Sequence, residues 1–306
     1  MSATRGPITV FLPTWNGGER LDEVLAAVRA QRTERRIVLR AVDSSSSDQT
    51  PRVLAKHGVD FETIAQREFD HGATRGKAIL ASSTELVVLL TQDARPLDEH
   101  WLEELVAPFE DPRVAGAWSR QVPRPACHPF QRANLEAHFA SRERNVIEPL
   151  SPAQWNALSP AERLARVGFD DVSSCVRRSA VERTPFPRTP FGEDMLWARA
   201  ALLAGHRLVY AGRSVVEHSH DLTLAELTRR VEQSYSLRRR IADERAFDSS
   251  GELLRGVRLA ARGHLRTAWR ARSLGAALQA APYAWLQITS ARRGSRSARY
   301  EPPSAG

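Results

Sequence analysis

Short apolar runs alternate with amphipathic stretches through the first third of the chain. Residues 8–12, 37–42 and 86–90 are rich in Val, Ile and Leu and end on turn-forming residues, as buried strands do. Between the first two, Leu21, Val24, Leu25 and Val28 recur at i, i+3, i+4 and i+7, which predicts an amphipathic helix. Pro51 suits the first turn of a helix over 51–57, because its missing N–H has no partner to lose there. A short strand near 59–64 and a helix over 73–82 follow. Asp98 is placed to cap a helix carrying Trp101, Leu102 and Leu105. Strands alternating with helices predict an α/β fold with a mostly parallel central sheet.

The texture changes after a strand over 114–118. Pro123, Pro125 and Pro129 punctuate a loop, and a polar, arginine-rich stretch continues to Arg166. A second apolar register begins at Val172 and leads to Phe191. A helix over 193–204 should bury Leu196, Ala200 and Leu203, with Gly205 closing it. Two short strands, 208–210 and 214–216, then deliver His218. Helical periodicity resumes at Leu222, with arginines on the polar face, and the tail past Gly294 is expected to be disordered. The expected division is an α/β domain over 1–222, a basic helical extension over 223–293 and a tail over 294–306. There is no internal repeat.

Composition narrows the class. The chain has 306 residues, 42% hydrophobic and 26% charged, ordinary values for a soluble globular protein. No apolar run approaches the roughly 18 residues of a membrane-spanning helix, and residues 8–12 are too short for a signal peptide. Cys127 and Cys175 stand far apart without metal-ligand spacing, which favours a reducing, cytoplasmic compartment. The net charge is +8, carried almost wholly by arginine, since Lys56 and Lys77 are the only lysines. Arginine suits phosphate or anionic lipid. Nucleic acid is disfavoured, because neither an aromatic-interleaved basic patch nor zinc-finger spacing is present.

Candidate chemistry sits where the apolar runs end. Pro13, Thr14, Trp15 and Asn16 follow the first, Asp43 to Asp48 the second, and Gln92 and Asp93 the third. Glu193 and Asp194 open the late helix, and His218 and His220 follow the last strand. Polar groups at the carboxyl ends of buried strands mark the ligand crevice of an open α/β sheet. Several carboxylates gathered there suggest a metal, a phosphorylated ligand and a general base.

The order of these segments resembles the inverting family 2 glycosyltransferases of GT-A fold, above all the rhamnosyltransferases. It is most specific in FDHGATRG at 69–76, LTQDARP at 90–96, RQVPRP at 120–125 and FGEDMLWARAALLAGHRLVY at 191–210. The resemblance implies a nucleotide-diphospho-sugar donor, with dTDP-L-rhamnose preferred. The implied acceptor is a saccharide or lipid-linked glycan. It assigns Pro13, Thr14, Trp15, Asn16, Asp43, Arg75, Gln92 and Asp93 to the donor, Arg75 as a clamp on its phosphates. Asp93 and His218 become ligands of Mg²⁺ or Mn²⁺, Asp194 the general base, and Glu193 an orienting group beside it. Trp197 could stack on a sugar or pack in the core, and His71 could orient its loop.

Two positions depart from the family pattern. Ser45 stands where glycine is usual, so the turn is expected to shift or strain. Gly76 stands where asparagine is common, which removes a contact to the nucleotide. Arg229, Arg230, Arg238, Arg239 and Arg240, with Arg270 and Arg272 near Leu274, Leu278 and Leu286, suggest a helical face for an anionic membrane surface. The competing readings are a nucleotidyltransferase on a similar sheet, a nucleic-acid binder and an inactive scaffold. The first of these would want a basic, glycine-rich loop after the first strand, and PTWNGG has no lysine.

Overall fold

The computed structural model describes residues 6–220 and 222–302. Its elements, in chain order, begin β1 (Ile8–Thr14), α1 (Gly18–Arg29), β2 (Ile37–Asp43), α2 (Thr50–Lys56), β3 (Asp60–Thr63), α3 (His71–Leu80), β4 (Leu86–Leu90), β5 (Arg95–Pro96), α4 (Trp101–Val106) and β6 (Val114–Val122). They continue with α5 (Pro129–His138), β7 (Asn145–Ile147), α6 (Pro152–Ala157), α7 (Pro160–Arg166), β8 (Ser173–Arg177), α8 (Arg178–Arg183), α9 (Glu193–Leu203), β9 (Arg207–Glu217), α10 (Leu224–Ala242), α11 (Ser250–Arg270) and α12 (Leu274–Ser297).

By contact the chain divides into two compact units. One comprises Met1–Val122, Ser141–Ser151 and Val167–His218; the other comprises Pro123–Ala140, Pro152–Arg166 and Ser219–Gly306. Helices α5, α6 and α7 therefore belong with the C-terminal helices, although they precede residue 222.

In the first unit the sheet runs β3-β2-β1-β4-β8-β6-β9-β5, with β7 on β9. Strands β3, β2, β1 and β4 are mutually parallel. Strand β8 runs antiparallel to β4 and β6, and β6 and β9 are parallel again. Strands β1 and β4 are buried on both faces, which is why they read as unbroken apolar runs rather than alternations. On one face, Ile8, Val10, Leu12, Leu86, Val88 and Leu90 share a core with Leu21, Val24, Leu25 and Val28 of α1 and Trp101, Leu102 and Leu105 of α4. The chain leaves β1 for β2 on one side, while β4 lies on the other. That is the switch point at which open α/β sheets hold ligands.

Several expectations are corrected. Asp98 does not cap α4; its carboxylate accepts from His100 N–H at 2.8 Å, and His100 is the capping residue. The strands expected at 208–210 and 214–216 are one strand, β9, whose pairing with β6 slips between Ser119 and Arg120. Helix α9 buries Trp197, Ala198, Ala201 and Leu202 with Leu196, not Ala200 and Leu203. The polar stretch to Arg166 holds α5, β7, α6 and α7, each too short to show a period. Helix α12 continues to Ser297, beyond Gly294, and Arg240 pairs with Glu301; residues 303–306 lie outside the described residues.

In the second unit, Phe130, Leu227, Ala268, Ala276, Ala280 and Tyr283 form a core of their own. Among the described residues no helix is long and apolar enough to cross a membrane.

Candidate active site

Three loops at the carboxyl ends of β1, β2 and β4 are stitched together. Asp43, 1% exposed, accepts from Thr14 Oγ1 at 2.9 Å and from Ser46 Oγ at 2.6 Å on one oxygen, and from Ser46 N–H at 2.9 Å on the other. Asn16 adopts a left-handed φ of 48°, which its short amide tolerates, donates its N–H to Ser46 Oγ and accepts from Ser47 N–H. Gln92 grips Trp15 at both backbone atoms, accepting its N–H at 2.8 Å and donating to its carbonyl at 2.9 Å. Trp15 is held 50% exposed as a result. Asp48 accepts from Thr50 N–H, a turn-closing role, while Thr50 Oγ1 accepts from Gly17 N–H.

Ser45 keeps the left-handed conformation, φ 59°, that glycine would adopt freely. Ser45 Oγ donates to Ile64 O at 2.7 Å, which offsets part of the roughly 1–2 kcal/mol such a backbone costs an L-residue. The turn is retained with strain rather than shifted.

Strand pairing explains how Asp93 meets His218. Antiparallel β5 and β9 place Arg95 opposite Glu217, so the residues just before Arg95 face those just after Glu217. Asp93 Oδ1 lies 3.6 Å from His218 Nε2.

The tautomer of His218 follows from its neighbours. Gln121 Nε2 donates to Asp170 Oδ2 at 2.8 Å, and Asp170 Oδ1 is engaged by Val172 N–H. Gln121 therefore turns its carbonyl to His218 Nδ1 at 2.8 Å, which must carry the proton. A neutral ring held in this tautomer has its Nε2 lone pair on the side of Asp93. Orientation of a ligand histidine through its other nitrogen is usual in metal sites. A carboxylate oxygen with imidazole nitrogen fits Mn²⁺ or Mg²⁺ when phosphate oxygens complete the shell.

A second cluster surrounds α9. Gly192, at φ 77°, turns the chain through a conformation that only glycine adopts without cost, so that Glu193 and Asp194 open the helix. Buried Arg75 on α3 donates to Glu193 at 2.9 Å and lies 3.7 Å from Asp171 Oδ2. Arg75 is thus enclosed by carboxylates and His71, not open to solvent as a surface phosphate clamp would be. Burial pushes the Asp171 carboxyl up to about 7, with Arg75 opposing and Glu193 adding to the rise. Asp194 is half-buried, and its pKa is raised well above the usual carboxylate value. Desolvation is the main cause, followed by the neighbouring charges of Glu193, Asp171 and Asp170.

Adjacent Asp170 and Asp171 join the two clusters, one orienting Gln121 and the other balancing Arg75. Sequence reasoning did not single out Gln121, Asp170 or Asp171, although the paired carboxylates directly before the apolar register at Val172 were a signal. Trp197 is fully buried, stacks on Phe186 with centroids 4.9 Å apart and donates to Thr184 O, so it packs in the core rather than against a sugar.

Close packing of α3 against the loop before α9 yields a test. A Cβ added at Gly72 would lie 1.9 Å from Pro187 O and 3.2 Å from Glu193 Cβ, whereas one at Gly76 meets Phe186 Cβ at an ordinary 3.7 Å. Gly72→Ala should destabilise by about 1–3 kcal/mol, the scale of overpacking. Gly76→Ala should be neutral or slightly stabilising, because alanine is the better helix former. Equal denaturation midpoints for the two variants would contradict this packing.

Residues 9–180 match the family model for glycosyl transferase family 2. The chain is 30% identical over 223 residues to the O-antigen chain rhamnosyltransferase RfbN of Salmonella typhimurium, covering 72% of this chain and 68% of that protein. It is 31% identical over 223 residues to the O-antigen chain rhamnosyltransferase WbaN of Salmonella anatum, covering 70% and 67%. A solved mannosyltransferase from Pyrobaculum calidifontis, in complex with GDP-Man and Mn²⁺, superposes with a TM-score of 0.59 at 19% identity, covering 95% of this chain and 86% of that one. The fold and its relatives define a glycosyltransferase of GT-A-like architecture. The chain belongs to glycosyl transferase family 2.

Proposed function

We propose that the protein transfers a sugar, with inversion, from a nucleotide-diphospho-sugar to a saccharide or lipid-linked glycan at the cytoplasmic side of a membrane. L-rhamnose from dTDP-rhamnose is the preferred donor, because both Salmonella relatives are rhamnosyltransferases by name. The observation that carries the reading is the linkage, through Asp170 and Asp171, of an Asp93–His218 cation site to the acidic mouth at Asp194.

In this reading Trp15 offers a face to the nucleoside base. Asp43 fixes the Thr14 and Ser46 loops that frame that base. Pro13, Asn16 and Gln92 hold the same frame. Asp93 and His218 would hold a divalent metal, which when bound would supply Lewis-acid stabilisation to the leaving diphosphate. Asp194 accepts the proton of the attacking acceptor hydroxyl. Glu193, held by Arg75, positions Asp194 and shapes its field. Arg75 acts through Glu193, and all of these groups lie in the first compact unit.

Excess EDTA should abolish transfer, and Mn²⁺ or Mg²⁺ should restore it. Gln121→Met should weaken Mn²⁺ affinity, measured by calorimetry with nucleoside diphosphate present, by about 10–100-fold, the usual effect of losing such a support. Full activity in chelator would overturn the metal assignment. A panel of nucleotide sugars assayed with and without Mn²⁺ tests the donor: transfer from another sugar alone would overturn the rhamnose reading.

A further inference from the structure

Toward its tip, the hairpin of α11 and α12 buries small residues and exposes large apolar ones. Ala268 of α11 and Ala276, Ala280 and Ala284 of α12 are buried. Trp269, Leu274 and Leu278 are 86%, 85% and 83% exposed, and Leu265 and Trp285 are each 49% exposed. An ordinary surface helix has the opposite arrangement.

Spacing gathers these side chains into stripes. Leu274, Leu278 and Trp285 lie at i, i+4 and i+11 on α12, and Arg258, Arg262, Leu265 and Trp269 at i, i+4, i+7 and i+11 on α11. The connecting turn is well defined. Ser273 N–H donates to Ala268 O and Arg272 N–H to Trp269 O, each at 3.0 Å, with Arg272 left-handed at φ 51°. This doubly bonded helix ending holds Trp269 and Leu274 together at the tip.

Charge decides the occupant. Between Leu253 and Arg270, α11 carries five arginines, all exposed, and no acid, while α12 carries no charged residue from Leu274 to Ala291. On α10, by contrast, Arg238, Arg239 and Arg240 pair with Glu244, Asp243 and Glu301, so those arginines are already engaged. A second copy of the hairpin would set arginine against arginine. A large exposed apolar patch marks an interaction site, and an apolar tip collared by cations suits a membrane interface. No described helix is long and apolar enough to cross the bilayer.

We infer that the α11–α12 tip inserts into an anionic lipid surface, with Trp269, Leu274 and Leu278 at the acyl boundary and the α11 arginines on headgroup phosphates. This deepens the lipid-linked acceptor reading, but it is measured without any donor or acceptor, so each can fail alone.

The full chain is co-sedimented with phosphatidylcholine vesicles with and without phosphatidylglycerol, over a range of salt. The wild type should prefer the anionic vesicles. Trp269→Ser/Leu274→Ser/Leu278→Ser should lower partitioning at least about tenfold at every salt concentration. Arg258→Gln/Arg262→Gln/Arg266→Gln should bind both vesicle types alike, with the salt dependence flattened. Unchanged circular dichroism establishes that each variant is folded. Wild-type partitioning by the apolar variant would overturn the proposal, as would equal wild-type binding to both vesicles. A solution dimer that the apolar variant dissociates would assign the patch to self-association instead and also overturn it.

Discussion

Asp194→Asn should lower the rate constant for sugar transfer by roughly 10²–10⁴, the usual contribution of a positioned acid–base group. Donor affinity should change little, because the proposed mechanism sets Asp194 against the acceptor hydroxyl and not the donor. The pH dependence adds a second signature. A base works only when deprotonated, and burial with three neighbouring carboxylates raises this one. Wild-type kcat/KM should therefore climb with pH through that raised pKa to a plateau, and the variant should lose this limb. For stability, a raised carboxyl means that the folded chain holds its proton to higher pH than the unfolded chain. Stability then falls as pH rises from the unfolded value through the folded one. Removing the charge removes that loss, so Asp194→Asn should be as stable as the wild type, or more so, near neutral pH. A variant that retained more than about a tenth of the rate would move the base elsewhere, with Glu193 the first candidate.

Arg75→Met should be the most destabilising single change in the site. It leaves the buried carboxylates of Glu193 and Asp171 without the guanidinium that balances them. Breaking a buried pair from one side costs about 3–5 kcal/mol, because the remaining charge stays out of water. The defect should shrink in acid, where the stranded carboxylates take up protons, and grow above neutrality. Glu193→Gln added to Arg75→Met should recover part of the stability without recovering normal transfer. Denaturant unfolding at several pH values provides the measurement. A loss below about 1 kcal/mol that is independent of pH would mean that Arg75 is not what neutralises this cluster.

Local pattern accounts for much of the first unit. Strands β1, β2 and β4 and helix α1 are long enough, and apolar or periodic enough, to be read from the chain. Helices α5, α6 and α7 were not, because each spans few turns and its burial depends on partners far along the chain. Helix α9 shows the same limit. Its existence was legible, but its buried face follows Trp197, whose ring is fixed by Phe186 and Thr184.

The sequence by itself determined the α/β class, the loops that hold Pro13–Gly18, Asp43–Asp48 and Gln92–Asp93, and the acids that open α9. Burial and turn propensity are local properties, and they are written in adjacent residues. Tertiary structure alone decided which of these groups touch. Pairing of β5 with β9 brings Asp93 to His218, and β6 beside β9 supplies Gln121 to orient that ring. Packing of α3 near α9 places Arg75 against Glu193 and Asp171, whose carboxylates it balances. Such contacts join residues roughly 100 positions apart or more. No short-range pattern encodes them, because they depend on strand order and on which charges end up sharing a region without water.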